Sequence, residues 1–199
     1  MRTSVIAAVC IAAVLPVAAC SSGETKAQPS KSSASSPPVA SVAGETLLLG
    51  KSAETVGAGG GGRLELTPTS VVHATKTKTD KPEHGLFVIV TVKVRPTTDA
   101  AAAETAPLQR GGWSWLTPDG QAVGPGDGTA ADVFLDGFDS GGPIQAGASK
   151  WRTKTFDIST AQRGGTLTYT DGAAHTFRWK IPAEDTGPQT AQLKKLTTG

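Results

Sequence analysis

Gly85-Leu86-Phe87-Val88-Ile89-Val90-Thr91-Val92-Lys93-Val94 decides the fold of this chain. Side chains alternate across an extended backbone with period two, so Leu86, Val88, Val90, Val92 and Val94 share one face. That face is wholly apolar, which predicts a central strand in a packed sheet. Upstream, Leu64 and Leu66 alternate with Arg63, Glu65 and Thr67, a second strand running on toward His73. Downstream, His175, Phe177, Trp179 and Ile181 alternate with Thr176, Arg178 and Lys180 in a last strand. Leu167 and Tyr169 alternate with threonines just before it, and Asp171-Gly172 in the connection marks a hairpin. Further strands are expected near Thr46–Leu49, Trp113–Leu116, Asp132–Leu135 and Lys150–Ile158. Helical periodicity is nearly absent, and the alanine-rich Thr98–Thr105 reads as loop or one helical turn. About seven or eight short strands separated by turn signals predict an all-β, antiparallel, immunoglobulin-like sandwich over residues 45–182.

The amino end carries an address. A short apolar run, Val5 to Ala19, follows the single early cation Arg2 and closes on Val17-Ala18-Ala19-Cys20. The run is short for a permanent span and has the order of a cleaved signal peptide. A small-residue stretch ending on cysteine is the lipobox pattern of bacterial lipoproteins, cleaved before the cysteine after its thiol receives a diacylglyceryl group. Residues 1–19 are therefore read as signal and Cys20 as the lipidation site. Each buried acyl methylene contributes about 0.8 kcal/mol, so two or three chains make a lasting anchor. Residues 20–44 are mostly Ser, Ala, Pro and Gly without hydrophobic periodicity, the composition of a disordered linker. Roughly two dozen such residues span some 25–30 Å. Residues 183–199 are polar and interrupted by Pro188, and are expected to form a flexible tail.

Composition narrows the chemistry. The chain has 19 Lys and Arg, of which Arg2 leaves with the signal, against 17 Asp and Glu. The mature chain is thus near neutral, and no global field draws it to nucleic acid. Its two cysteines are Cys10, in the signal, and Cys20, the lipid site. The folded part has neither thiol nor disulfide, which excludes redox and zinc-thiolate chemistry and leaves stability to core burial.

The chain resembles the telokin-like, immunoglobulin-like domain of actinobacterial and other Gram-positive lipoproteins and secreted proteins. The resemblance rests on Gly85 to Val94, the Pro118-Asp119-Gly120 turn, the Gly147 turn and the strand ending Phe156-Asp157-Ile158. It covers about residues 45 to 182. It implies a sandwich fold and an envelope location; it implies no shared catalytic residues.

Enzyme motifs come near and fail. Gly50-Lys51-Ser52 ends like a phosphate loop, but the residues before it, Thr46-Leu47-Leu48-Leu49, look like a strand. Gly57–Gly62 leads into a strand and not into a helix N-terminus. Gly112-Trp113-Ser114-Trp115-Leu116 lacks the closing glycine of a nucleophile elbow. His73, His84 and His175 lack ligand spacing. His175 heads an inward row and reads as a core or edge histidine, and His84, in a polar loop, reads as solvated. No catalytic residue, metal or cofactor is assigned.

Charge patterning carries the binding hypotheses. No Lys or Arg occurs from Gly111 to Ser149, where Asp119, Asp127, Asp132, Asp136 and Asp139 lie among glycines. Three of them are in Asp-Gly pairs, which reads as turn chemistry, with calcium ligation the alternative. Lys150, Arg152 and Lys154 are spaced by two on one strand face, as are Arg178 and Lys180 on the last strand and Lys93 and Arg95 on the central one. Neighbouring strands would merge them into a cationic face. Such a face suits an anionic envelope partner: a phospholipid headgroup, a phosphorylated glycan or an acidic protein patch. The plainer reading, which composition favours, is a solvated face paired with the aspartates of the acidic loops. Trp113 and Trp115 share a face and could stack on a ligand, or fill the core. The expected role is a non-enzymatic, lipid-anchored extracytoplasmic module for binding or scaffolding. The alternative is a carrier with an apolar cavity for lipid or another small ligand.

Overall fold

The structure, a computed structural model, describes residues 44–198. The signal peptide, Cys20 and nearly all of the linker lie outside the described residues. Nine strands form two sheets: β1 (Thr46–Leu48), β2 (Ala53–Val56), β3 (Arg63–Ala74), β4 (Gly85–Pro96), β5 (Gly112–Leu116), β6 (Ala122–Val123), β7 (Lys150–Ser159), β8 (Gly165–Thr170) and β9 (Thr176–Ile181). One sheet has the order β1-β9-β8-β5-β6 and the other β2-β3-β4-β7. All pairings are antiparallel except β1 with β9. The all-β sandwich is therefore as expected, and the segment around Gly85–Val94 is its longest strand together with β3. Two short strands, β2 and β6, escaped the sequence reading because two to four residues carry too little alternation. Asp132–Leu135 is not a strand; Ala130–Asp132 form a 3-10 turn and the chain runs on as loop.

Register explains the interior. Leu86, Val88, Val90, Val92 and Val94 of β4 face the opposite sheet, packed with Leu64, Leu66, Phe156 and Ile158. From the other sheet come Trp113, Trp115, Leu167, Tyr169, Phe177, Trp179 and Ile181. Trp113 lies 4.7 Å from Tyr169 and 5.8 Å from Trp179, and Trp115 lies 5.8 Å from Phe156, all as tilted ring pairs. An extra residue in β3 between Pro68 and Ser70 shifts its alternation by one. The bulge lets Leu64 and Leu66 before it, and Val71 after it, all face inward. It also turns His73 inward, opposite Val88.

The other face of β4 is apolar too, at Phe87 and Ile89, and it has its own cover. Val72, Ala74, Phe87 and Ile89 pack beneath Val133 and Leu135 of the 130–138 loop and Leu193 of a helix, α1 (Thr190–Thr198). Where a flexible tail was expected over 183–199, the described residues Thr190–Thr198 form this helix. Leu193 and Leu196, three residues apart, place apolar groups on one helical side, and Leu193 is fully buried. The approach to α1 is fixed by polar contacts. Thr69, Ser70 and Thr91 hydroxyls donate to Gln189 Oε1 at 2.9, 2.6 and 3.3 Å. Gly187 has φ +106° and passes so close to β3 that a Cβ would lie 2.2 Å from the Thr69 carbonyl oxygen.

Asp185 fastens the same segment. It accepts from the backbone N–H of His73 at 2.8 Å, contacts His73 Nδ1 at 3.0 Å and pairs with Lys194 at 3.0 Å. The His73 side chain is fully buried and its Nε2 finds no hydrogen-bond partner among the described residues. Burial lowers the His73 pKa, against the Asp185 hydrogen bond that raises it. His175, by contrast, precedes β9 and its side chain is 59% exposed, so it is not a core residue. His84 is about half exposed, near Asp157. Asp171 and Asp157 are buried turn-holding carboxylates; Asp157 accepts from the N–H groups of Glu83 and His84 at 2.6 and 2.9 Å.

Two measurements check this arrangement. Leu193→Ala should cost about 2–5 kcal/mol in urea unfolding, because it empties a buried site without removing charge. His73 binds a proton more readily unfolded than folded, so its contribution is complete above the ordinary histidine pKa and declines as pH falls below it. The thermal midpoint of the wild type should therefore fall between pH 7.5 and 5.5 by more than that of His73→Asn.

Candidate functional site

The structure separates the basic residues that the sequence placed together. β7 and β9 belong to different sheets, so Lys150, Arg152 and Lys154 do not share a face with Arg178 and Lys180. Lys93 and Arg95 sit on β4 beside β7, but Lys93 pairs in register with Trp151 and points away from the Arg152 row. Lys93 lies over the Trp151 ring at 5.9 Å, and Arg95 is held by Glu65 at 2.7 Å. The merged cationic face does not exist.

Instead, Lys150, Arg152 and Lys154 point inward. In register they oppose Val94, Val92 and Val90, and the same row continues as Phe156 and Ile158. Half of the row is apolar and closes the core; the other half is ionic and meets Glu104, which the 98–105 loop inserts at this corner. The Arg152 side chain is only 2% exposed. Its guanidinium donates to Glu104 Oε2, to Asp139 Oδ1 at 3.0 Å and to the Gly142 carbonyl at 2.7 Å. Lys154 Nζ lies 3.1 Å from Glu104 Oε1 and 5.5 Å from the Trp113 ring centre. Trp113 Nε1 donates to the same carboxylate at 2.5 Å. Lys150 contacts Asp139 at 3.5 Å from a half-exposed position. Burial alone would raise the Glu104 pKa, but the charges of Lys154 and Arg152, with hydrogen bonds from Arg152 and Trp113, hold it below the usual glutamate range.

Beside this cluster opens a cleft of about 390 Å³, lined among others by Glu104, Pro107, Trp113, Val133, Arg152 and Lys154. Its volume suits a small ligand. Glu104 is the one carboxylate among its lining residues, against Arg152 and Lys154, and Asp139 next to the wall also pairs with Arg152, which leaves Lys154 sharing only Glu104. Lys154 keeps 17% of its side chain exposed. An ammonium has three donors, so contact with Glu104 leaves others for an incoming anion. Trp113 borders the cleft but is 5% exposed and packed on Tyr169, and Trp115 is fully buried; neither offers a free stacking face. Sequence reasoning missed Glu104, whose only signal was one acidic residue ending an alanine-rich stretch.

The acidic loops resolve into turns and ion pairs. Thr117 Oγ1 donates to Asp119, Gly124 N–H donates to Asp127 at 2.6 Å, and Asp139 serves Arg152. Among the described residues, no three His, Cys, Asp or Glu side chains converge as a metal cluster.

No family model and no curated protein matches the chain. Among solved structures, ycdA of Bacillus subtilis, described as a candidate lipoprotein, aligns at 18% identity, TM-score 0.44, over 68% of this chain and 39% of its own. The secreted protein MPT63 of Mycobacterium tuberculosis aligns at 14% identity, TM-score 0.42, over 68% of this chain and 96% of its own. The chain thus spans well under half of ycdA.

Glu104→Gln removes one of the two carboxylates that neutralise buried Arg152, leaving Asp139, and should cost about 1.5–3 kcal/mol in denaturant unfolding. Replacing both, as Glu104→Leu with Arg152→Met, should cost clearly less than the single change. Glu104 favours the fold above the ordinary glutamate pKa and loses that contribution as pH falls through its lower folded value. The acid-unfolding midpoint of the double variant should accordingly be less steep in pH.

Proposed function

We propose that this chain is a lipid-anchored, extracytoplasmic, non-enzymatic binding module of the telokin-like, immunoglobulin-like type, which holds the anionic group of an envelope component in the Lys154 cleft. The observation that carries this reading is the largely buried Lys154 ammonium, held by Glu104 and lying over Trp113 on the wall of a ligand-sized cleft. The anchor rests on the lipobox and Cys20, and the linker composition suits a tethered domain.

The immunoglobulin-like assignment is supported by topology. β3-β4-β7 and β5-β8-β9 follow the arrangement A-B-E and C-F-G of that sandwich, and a buried tryptophan, Trp115, stands on the strand in the C position. A binding role is favoured over chemistry because Glu104 is held ionised against two cations, which makes it a counter-ion and a poor proton donor. The carrier alternative needs an apolar void between the sheets. The inward aromatics that would line it are stacked on one another.

Mass spectrometry of protein from its native membrane should find diacylglycerol on Cys20, and Cys20→Ala should carry no lipid and keep residues 1–19 uncleaved. Glycerol phosphate, a headgroup fragment, should bind the wild type in calorimetry, and Lys154→Met should weaken it at least about tenfold, the order of one charge-assisted hydrogen bond. Equal binding by Lys154→Met would sink the cleft assignment.

A further inference from the structure

The two outer faces of the sandwich are unlike. That of the β2-β3-β4-β7 sheet is covered by α1 and the 130–138 loop. Among the described residues, no element of the second core covers that of the β1-β9-β8-β5-β6 sheet, and register assigns its outward positions. They are Thr46 and Leu48 on β1, Thr176, Arg178 and Lys180 on β9, threonines 166, 168 and 170 on β8, Gly112, Ser114 and Leu116 on β5, and Ala122 on β6. No outward position on these five strands is acidic; the nearest acids in sequence are Glu45, one residue before β1, and the buried Asp171, one residue after β8. Arg178 and Lys180 take part in no ion pair among the described residues, whereas Lys150, Arg152, Lys154 and Arg95 all do. Leu48, opposite Lys180 in register, is 63% exposed.

We infer that this face is the membrane-facing side of the molecule and docks on the anionic headgroups of the bilayer in which Cys20 is anchored. Three observations agree. The described residues begin at Gly44 and enter the fold at β1, the edge strand of this face, so the chain from Cys20 joins the domain on this side. The face carries two uncommitted cations and no carboxylate, the complement of a phosphatidylglycerol-rich surface. Its border holds one exposed leucine, suited to headgroup depth beside a snorkelling lysine. A single surface cation contributes only about fivefold in binding, so two would not hold a free protein. Tethering turns the encounter intramolecular, and weak contacts then suffice to set orientation. The inference rests on lipidation of Cys20, and concerns a surface separate from the Lys154 cleft.

The mature chain has no thiol besides Cys20, so one introduced cysteine can be labelled uniquely. Leu48→Cys, on this face, and Phe134→Cys, exposed on the 130–138 loop of the opposite side, would each carry a fluorophore in the lipidated protein. Vesicles of phosphatidylcholine with and without phosphatidylglycerol would bear a headgroup quencher. With phosphatidylglycerol, the label at 48 should be quenched at least about threefold more than that at 134, and the difference should vanish in about 0.5 M salt. Arg178→Gln with Lys180→Gln, at an unchanged thermal midpoint, should also erase it. Equal quenching at both positions, or a difference indifferent to that double variant, would overturn the docking face while the protein stays on the vesicles. Failure of the anchor is told apart by loss of protein from the vesicle fraction. A face that serves a soluble anionic polymer instead would give equal quenching, and so count against the inference.

Discussion

β4 is apolar on both faces, and the architecture follows from having to cover it twice. Its inner row, Leu86 to Val94, requires a second sheet, and its outer pair, Phe87 and Ile89, requires something else. Burying each such side chain is worth about 1.5–3 kcal/mol, too much to leave open in a domain without a disulfide. The chain meets the first demand with the aromatic row of β5, β8 and β9. It meets the second with a loop from the middle of the sequence and a helix from its end. The turn carboxylates Asp157 and Asp185 serve this second layer, since both hold segments that border it.

At one corner the inner layer turns ionic. The row Lys150, Arg152, Lys154, Phe156 and Ile158 is continuous in direction but changes chemistry midway. A buried guanidinium is tolerable only with its donors occupied, and Glu104, Asp139 and the Gly142 carbonyl occupy them. The consequence is a corner that loops must close, and closing it leaves the cleft. Structure and candidate site are thus one device: the carboxylate that neutralises Arg152 also positions Lys154.

Much of the sandwich was legible because alternation is a local signal. β3, β4, β7, β8 and β9 each show period two over several residues. The helix was illegible because Thr190–Thr198 has one apolar pair, Leu193 and Leu196, in an otherwise polar run; its stability comes from the sheet it lies on, not from its own sequence. The site was half legible. Spacing put Lys150, Arg152 and Lys154 on one face correctly, yet nothing local says whether a face points to water or to the core. A basic row normally argues for water, and a single glutamate almost 50 residues away reversed that. Arg178 and Lys180 have the same spacing and do face outward, so the same pattern had two outcomes, decided by which sheet each strand joined.

The outer cover of β4 is assembled from two segments far apart in sequence, the 130–138 loop and α1. A break in the chain between β9 and α1 would leave Val133 and Leu135 to shield Val72, Phe87 and Ile89 by themselves. The longest hairpin would then show part of an oily patch, inviting proteolysis or aggregation. Intactness of that connection is thus felt at a strand pair about a hundred residues away.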